Sequence, residues 1–140
     1  MKNGLYFLLF VILIFAACQE EYYRTIGDFE MGDTVKINMH HSLYNAEHEV
    51  YIFLDSVLSD SRCPEKVICI WSGNAAVRFL IHAHGQSFPF VLNTLGGINF
   101  PKEIEVEGFR VVLVLLTPYP AIPQIIHQND YVAYVKVEKL

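Results

Sequence analysis

The groups of this 140-residue chain that could do chemistry are six histidines, fifteen carboxylates and a scatter of serines. His82 and His84 stand two apart, so on a continuing strand they would share a face and could ligate one metal. A third ligand would then come from His40, His41, His48 or His127. Histidine pairs beside a turn are more often solvated than metallated, and no metal is expected here. The serines include no G-x-S-x-G elbow that would raise a nucleophile. Asp55, Asp60, Glu103 and Glu105 form no recognisable acid/base pair, and no glycine-rich loop opens a helix to cradle phosphate. These patterns lead us to expect neither a cofactor nor an enzyme.

The elements that must position such residues begin with the leader. Lys2 precedes thirteen consecutive apolar residues, Leu5 to Ala17, a run too short for a bilayer span of ~20 residues and of the length of a signal-peptide core. It ends Phe15-Ala16-Ala17-Cys18, which resembles the lipobox of bacterial lipoproteins, with Phe15 where leucine is usual. The resemblance implies that residues 1–17 are a lipoprotein signal peptide and that Cys18 becomes the acylated first residue of the mature chain. Two or three acyl chains hold a protein on a membrane far more firmly than a single myristoyl does.

Lipoproteins mature outside the cytoplasm, where disulfides persist, so the remaining pair, Cys63 and Cys69, is expected to be oxidised. The competing use is zinc, which would want four ligands where this pair supplies two. Residues 18–140 carry nine Lys and Arg against fifteen Asp and Glu, a formal charge of −6. Without a basic run, that balance argues against nucleic acid as a partner. Gln19-Glu20-Glu21 resembles the acidic signal that exports some lipoproteins to the cell surface. The expected location is therefore the cell envelope, on an outer membrane, facing the periplasm or displayed outside. Residues 18–33 read as a tether.

From residue 34 to 140 the apolar period is two, and one domain is expected. Val35, Ile37 and Met39 alternate with polar residues, then comes a break at His41 to Asn45, then a second strand over Val50, Ile52, Leu54 and on to Val57. Val77, Phe79 and Ile81 share one face of a third strand. The stretch His82-Ala83-His84-Gly85-Gln86 reads as a hairpin turn and leads to Phe88, Phe90 and Leu92, where Pro89 argues for a sheet edge. Lys102 to Val106 reads as a short strand before a turn at Glu107-Gly108. Phe109 to Leu116 is so apolar that it reads as a strand covered on both faces, and Tyr131 to Glu138 is the last strand. The pattern predicts an all-β fold, an antiparallel sandwich, immunoglobulin-like or similar, of about seven strands.

The string Asp60-Ser61-Arg62-Cys63-Pro64, then Cys69, Trp71, Gly73 and Ala75 at these spacings, followed by Thr117-Pro118-Tyr119-Pro120 and the terminal strand, resembles a widespread group of small exported bacterial all-β domains of unknown function. The resemblance implies a sandwich and the Cys63–Cys69 pairing, and it implies no activity. Within the motif, Trp71 is placed to lay its indole over the bridge, and Arg62 to be tied by neighbouring carboxylates or loop carbonyls. The alternative is a ligand loop displaying Arg62, Glu65, Lys66 and Trp71. Tyr44, Tyr51, Phe53, Tyr119 and Tyr134 are either a glycan- or peptide-binding face or ordinary cross-strand packing. The apolar turn Pro118 to Pro123 either makes contacts or covers an open end of the sandwich. Together these readings describe a lipid-anchored envelope protein acting as a binding or structural accessory module for an envelope protein or glycan. The alternative is a metal-binding or small hydrolytic envelope protein.

Overall fold

Branched and aromatic residues at alternate positions put one face of each segment into a common interior, and the described residues form nine strands in two sheets. The structure, a computed structural model, describes residues 25–140; the leader, Cys18 and residues 19–24 lie outside the described residues. The strands are β1 (Thr25–Asp28), β2 (Thr34–Asn38), β3 (Ser42–Asn45), β4 (Val50–Asp60), β5 (Ala75–Ala83), β6 (Gln86–Asn93), β7 (Glu103–Val106), β8 (Phe109–Thr117) and β9 (Val132–Lys139). One sheet has the order β1-β3-β4-β5-β6 and the other β2-β9-β8-β7. Phe79, Ile52, Leu54, Ile81 and Leu92 of the first face Ile37, Val111, Leu113 and Val135 of the second in one fully buried core. The expected all-β sandwich is the observed architecture.

Two strands have no counterpart in the period-two reading. The segment expected to be a break, His41 to Asn45, is β3, antiparallel to β4 through Leu43↔Ile52 and Tyr44↔Tyr51. The folded unit also begins before residue 34, because β1 pairs with β3 and Phe29 and Met31 pack on the core. That pairing is parallel, the one exception to an antiparallel fold among the described strands. Asn45, buried at the end of β3, donates through its amide nitrogen to Phe29 O at 2.8 Å just past the end of β1, a fixed point that keeps the short pair in place.

The turns follow their residues. His84 (φ 52°) with Gly85 (75°), and Glu107 (50°) with Gly108 (81°), close the β5–β6 and β7–β8 hairpins with two positive-φ residues each. That geometry matches strand twist. Pro89 lies in β6, an edge strand, as its missing donor requires. β8 departs from expectation: it is covered on one face only. Val114 and Leu115 are exposed, and a bulge between Leu113 and Leu115 returns Leu116 to the core. β4 uses the same device. A bulge near Asp55 lets Leu54 and Val57, an odd number of residues apart, both point inward, and a second follows near Leu58.

Three loops leave the same end of the sandwich: 61–74 between β4 and β5, 94–102 between β6 and β7, and 118–131 between β8 and β9. Asp60, Ala75, Asn93 and Thr117 mark that end through their pairing partners. The opposite end holds the short connections 29–33, 46–49, 84–85 and 107–108.

Candidate functional site

The end with the three long loops is built around one buried ion pair. β4 delivers Asp60 at its last position, and Arg62, two residues on, folds back against it. Nε and Nη2 of Arg62 donate to the two carboxylate oxygens of Asp60 at 2.9 and 2.6 Å. Nη1 donates to Leu116 O at 2.6 Å and Nη2 also to Pro118 O at 2.9 Å, the two carbonyls where β8 runs out. Both side chains are almost wholly buried, with 4% and 9% exposure for Arg62 and Asp60. The guanidinium therefore holds the β4–β5 loop to the β8–β9 loop, and its plane lies 4.9 Å from the ring centre of Tyr119. Tyr131 donates its hydroxyl to the same carboxylate at 3.1 Å. Burial pushes the Asp60 carboxyl up, but the hydrogen bonds and charge of Arg62 together outweigh it and hold the group below its ordinary range. Tyr131 is pushed up to about 12, by burial first and then by the Asp60 charge and hydrogen bond.

Beyond this pair the loop closes on itself. Cys63 and Cys69 are joined as a disulfide with Cα atoms 6.0 Å apart. Ser61 N donates to Asn74 O at 2.7 Å and Cys63 N to Ser72 O at 3.4 Å, so the two limbs of the loop run side by side. Gly73 makes that possible: its φ is +70°, and a Cβ there would sit 2.0 Å from Ser61 O. Asn74 then links this loop to the next, its amide nitrogen donating to Asn93 Oδ1 at 2.7 Å and its Oδ1 accepting from Leu95 N at 3.1 Å. Glu65 N donates to Pro120 O at 2.8 Å, a second tie to the 118–131 loop.

The 118–131 loop is held to the other sheet by a residue with no signature in the sequence. Gln128 donates Nε2 to Val57 O at 2.6 Å and accepts from Val57 N at 3.1 Å through Oε1. The side-chain amide thus serves both backbone groups of a residue beside a bulge, at a level of β4 that β3 does not reach.

With its backbone so fixed, this end presents apolar side chains to solvent. Ile68 and Ile70 are 101% and 97% exposed, Ile98 101%, and Trp71, Ile122 and Ile125 between 68% and 76%. The indole of Trp71 does not lie under cover on the bridge; it is displayed. Next to them a cleft of about 320 Å³ opens between the loops and β8, lined by Thr94, Leu95, Lys102, Val114, Leu115 and Tyr119 among others. Its lining contains no carboxylate or imidazole; Lys102 and Tyr119 are its titratable groups beside the ion-paired Arg62. Together the exposed side chains and the cleft give this end of the sandwich an apolar surface.

The ligand loop weighed from the sequence divides. Arg62 is buried and committed to protein acceptors, while Glu65, Lys66 and Trp71 are exposed. His82 and His84 do not share a strand face: β5 ends at Ala83 and His84 occupies the turn. His82 Nδ1 lies 3.0 Å from Ser87 Oγ, and His84 Nδ1 lies 3.8 Å from Glu107 Oε2. Among the described residues no group of three His, Cys, Asp or Glu is placed to hold a metal. Tyr44 and Tyr51 are stacked cross-strand neighbours with ring centres 4.3 Å apart and Phe53 is buried, which is sheet packing. Tyr119 alone of the aromatic candidates reaches the cleft.

The fold and site define a disulfide-closed β-sandwich with an apolar loop end. Comparison with family models, curated proteins and solved structures finds no match to this chain.

Proposed function

We propose that the chain is a lipid-anchored protein of the bacterial cell envelope that works by contact, as a binding or structural accessory module, through the loop end of its sandwich. The observation that carries this reading is the gathering of exposed Ile68, Ile70, Trp71, Ile98, Ile122 and Ile125 on three loops whose backbones are tied by a buried ion pair, a disulfide and Gln128. A domain that orders its loops so thoroughly and then leaves their apolar side chains in water has a surface suited to a partner. The lipobox-like Phe15 to Cys18 supplies the anchor, and the Cys63–Cys69 bridge suits an oxidising compartment.

Metabolic labelling with palmitate tests the anchor. Wild type is expected to take up label and to accumulate as precursor under globomycin, and Cys18→Ser to do neither. Unlabelled wild-type protein in the soluble fraction would overturn the proposal.

A further inference from the structure

We infer that the partner of the loop end is the bilayer that holds the anchor: the tips of the 61–74, 94–102 and 118–131 loops seat in the headgroup and upper acyl region of that membrane. This rests on the anchoring proposed above and adds a fixed orientation of the sandwich on its membrane. Three observations on different parts of the molecule point the same way.

The first is the chemistry of the tips. Ile68, Ile70, Ile98, Ile122 and Ile125, with Trp71 beside them, are side chains that gain by leaving water, and an indole favours the headgroup level. Three come from the 61–74 loop, one from 94–102 and two from 118–131, and none of them lines the cleft, a form that a fluid interface accommodates without a shaped counterpart.

The second is charge. The loop end carries Arg62, already neutralised by Asp60, and Glu65, Lys66, Lys102 and Asp130. The connections at the other end carry Glu30, Asp33, Glu47, Glu49 and Glu107, with no Lys or Arg. Seated by its loops, the domain keeps this acidic end away from anionic headgroups; seated by the opposite end it would press five carboxylates against them.

The third is the reach of the chain. β1 runs parallel to β3, with Thr25 level with Ser42, which is level with Phe53 of β4. Moving backward along β1 from Asp28 to Thr25 is moving toward Asp60, so the chain enters the fold from the loop end. From the level of Phe53 to that of Asp60 the paired strand β5 spans five residues, Leu80 to Ala75, or ~17 Å at strand rise. The seven steps from Thr25 back to Cys18 can span up to ~25 Å. The length of chain between Thr25 and an acylated Cys18 is therefore enough to span the distance to the loop bases.

Trp71 is the only tryptophan of the chain and sits on the seating surface, so its fluorescence reads the contact directly. The full-length lipidated protein, reconstituted into phosphatidylethanolamine/phosphatidylglycerol vesicles, is expected to show blue-shifted emission. It should lose about half of that intensity when acyl-brominated phosphatidylcholine is included, because the indole lies within reach of the upper chain. Ile68→Ser combined with Ile70→Ser should remain anchored and folded by circular dichroism while its quenching falls severalfold. Palmitate labelling of the same preparation separates the two claims: label without quenching overturns the seating and leaves the anchor, and absence of label overturns both. A blue shift that grows with protein-to-lipid ratio and ignores bromine would assign the tips to a second copy of the chain, and would equally overturn the inference.

Discussion

Replacing Arg62 by alanine is the perturbation the structure judges most sharply. The guanidinium serves four acceptors, the two oxygens of Asp60 and the carbonyls of Leu116 and Pro118, in a setting where both charged side chains are less than a tenth exposed. Truncation leaves a carboxylate without its counter-ion and two carbonyls without donors. Breaking a buried pair from one side costs about 3–5 kcal/mol. For a folded unit the size of residues 25–140, each kcal/mol is worth about 4 °C, so melting should fall by roughly 12–20 °C. The loss should also depend on pH. Asp60 is held below its ordinary value in the folded wild type, so the pair contributes stability above the unfolded carboxylate value of about 4 and loses it as pH falls through the lower folded value. The gap between wild type and variant, followed by differential scanning calorimetry, should therefore be widest near neutrality and narrow in acid. Arg62→Lys, a point charge in place of a planar fork, should recover only part of the loss. A variant within about 4 °C of wild type at pH 7 would refute the reasoning, since the carbonyls would then be satisfied without the guanidinium.

Three further outcomes follow from the same loops. Gly73→Ala is expected to be among the most damaging single changes, because the new Cβ meets the Ser61 carbonyl at 2.0 Å on a backbone with φ +70°; soluble yield and urea midpoint check it. Replacing Cys63 and Cys69 together by serine should cost about 2.4 kcal/mol on the chain-entropy account for a seven-residue ring, read as a lowered urea midpoint. Tyr131, pushed up to about 12, contributes stability that is complete below the unfolded tyrosine value near 10 and is lost as pH rises toward 12; Tyr131→Phe should flatten that alkaline decline in pH-dependent melting.

The strands that carry strict alternation, β2, β5 and β9, were legible because each has one buried face and one wet face. β3 and β1 were not, since Ser42-Leu43-Tyr44-Asn45 and Thr25-Ile26-Gly27-Asp28 are four-residue pieces too short to show a period, and they are strands only because β4 offers an edge to β3 and β3 offers one to β1. The apolar run of β8 misled for another reason. Composition reports how hydrophobic a strand is but not whether its second face is covered, and here Val114 and Leu115 line an open cleft. At the site, Arg62 could be read as tied to a carboxylate because Asp60 is two residues away, while its bonds to Leu116 and Pro118 belong to tertiary structure. Nothing local marks Gln128 as the partner of Val57, seventy-one residues distant. The display of Trp71 was also hidden: a tryptophan two residues after a cysteine looks like a lid on a bridge until the loop is seen to point outward.

Intact mass spectrometry of the protein extracted from membranes, with and without reduction, bears most directly on the claim that this is an anchored, bridge-closed envelope module. The account predicts a chain beginning at acylated Cys18 whose Cys63 and Cys69 take up alkylating reagent only after reduction. A chain that retains residues 1–17 without lipid, or free thiols at both positions, would contradict it.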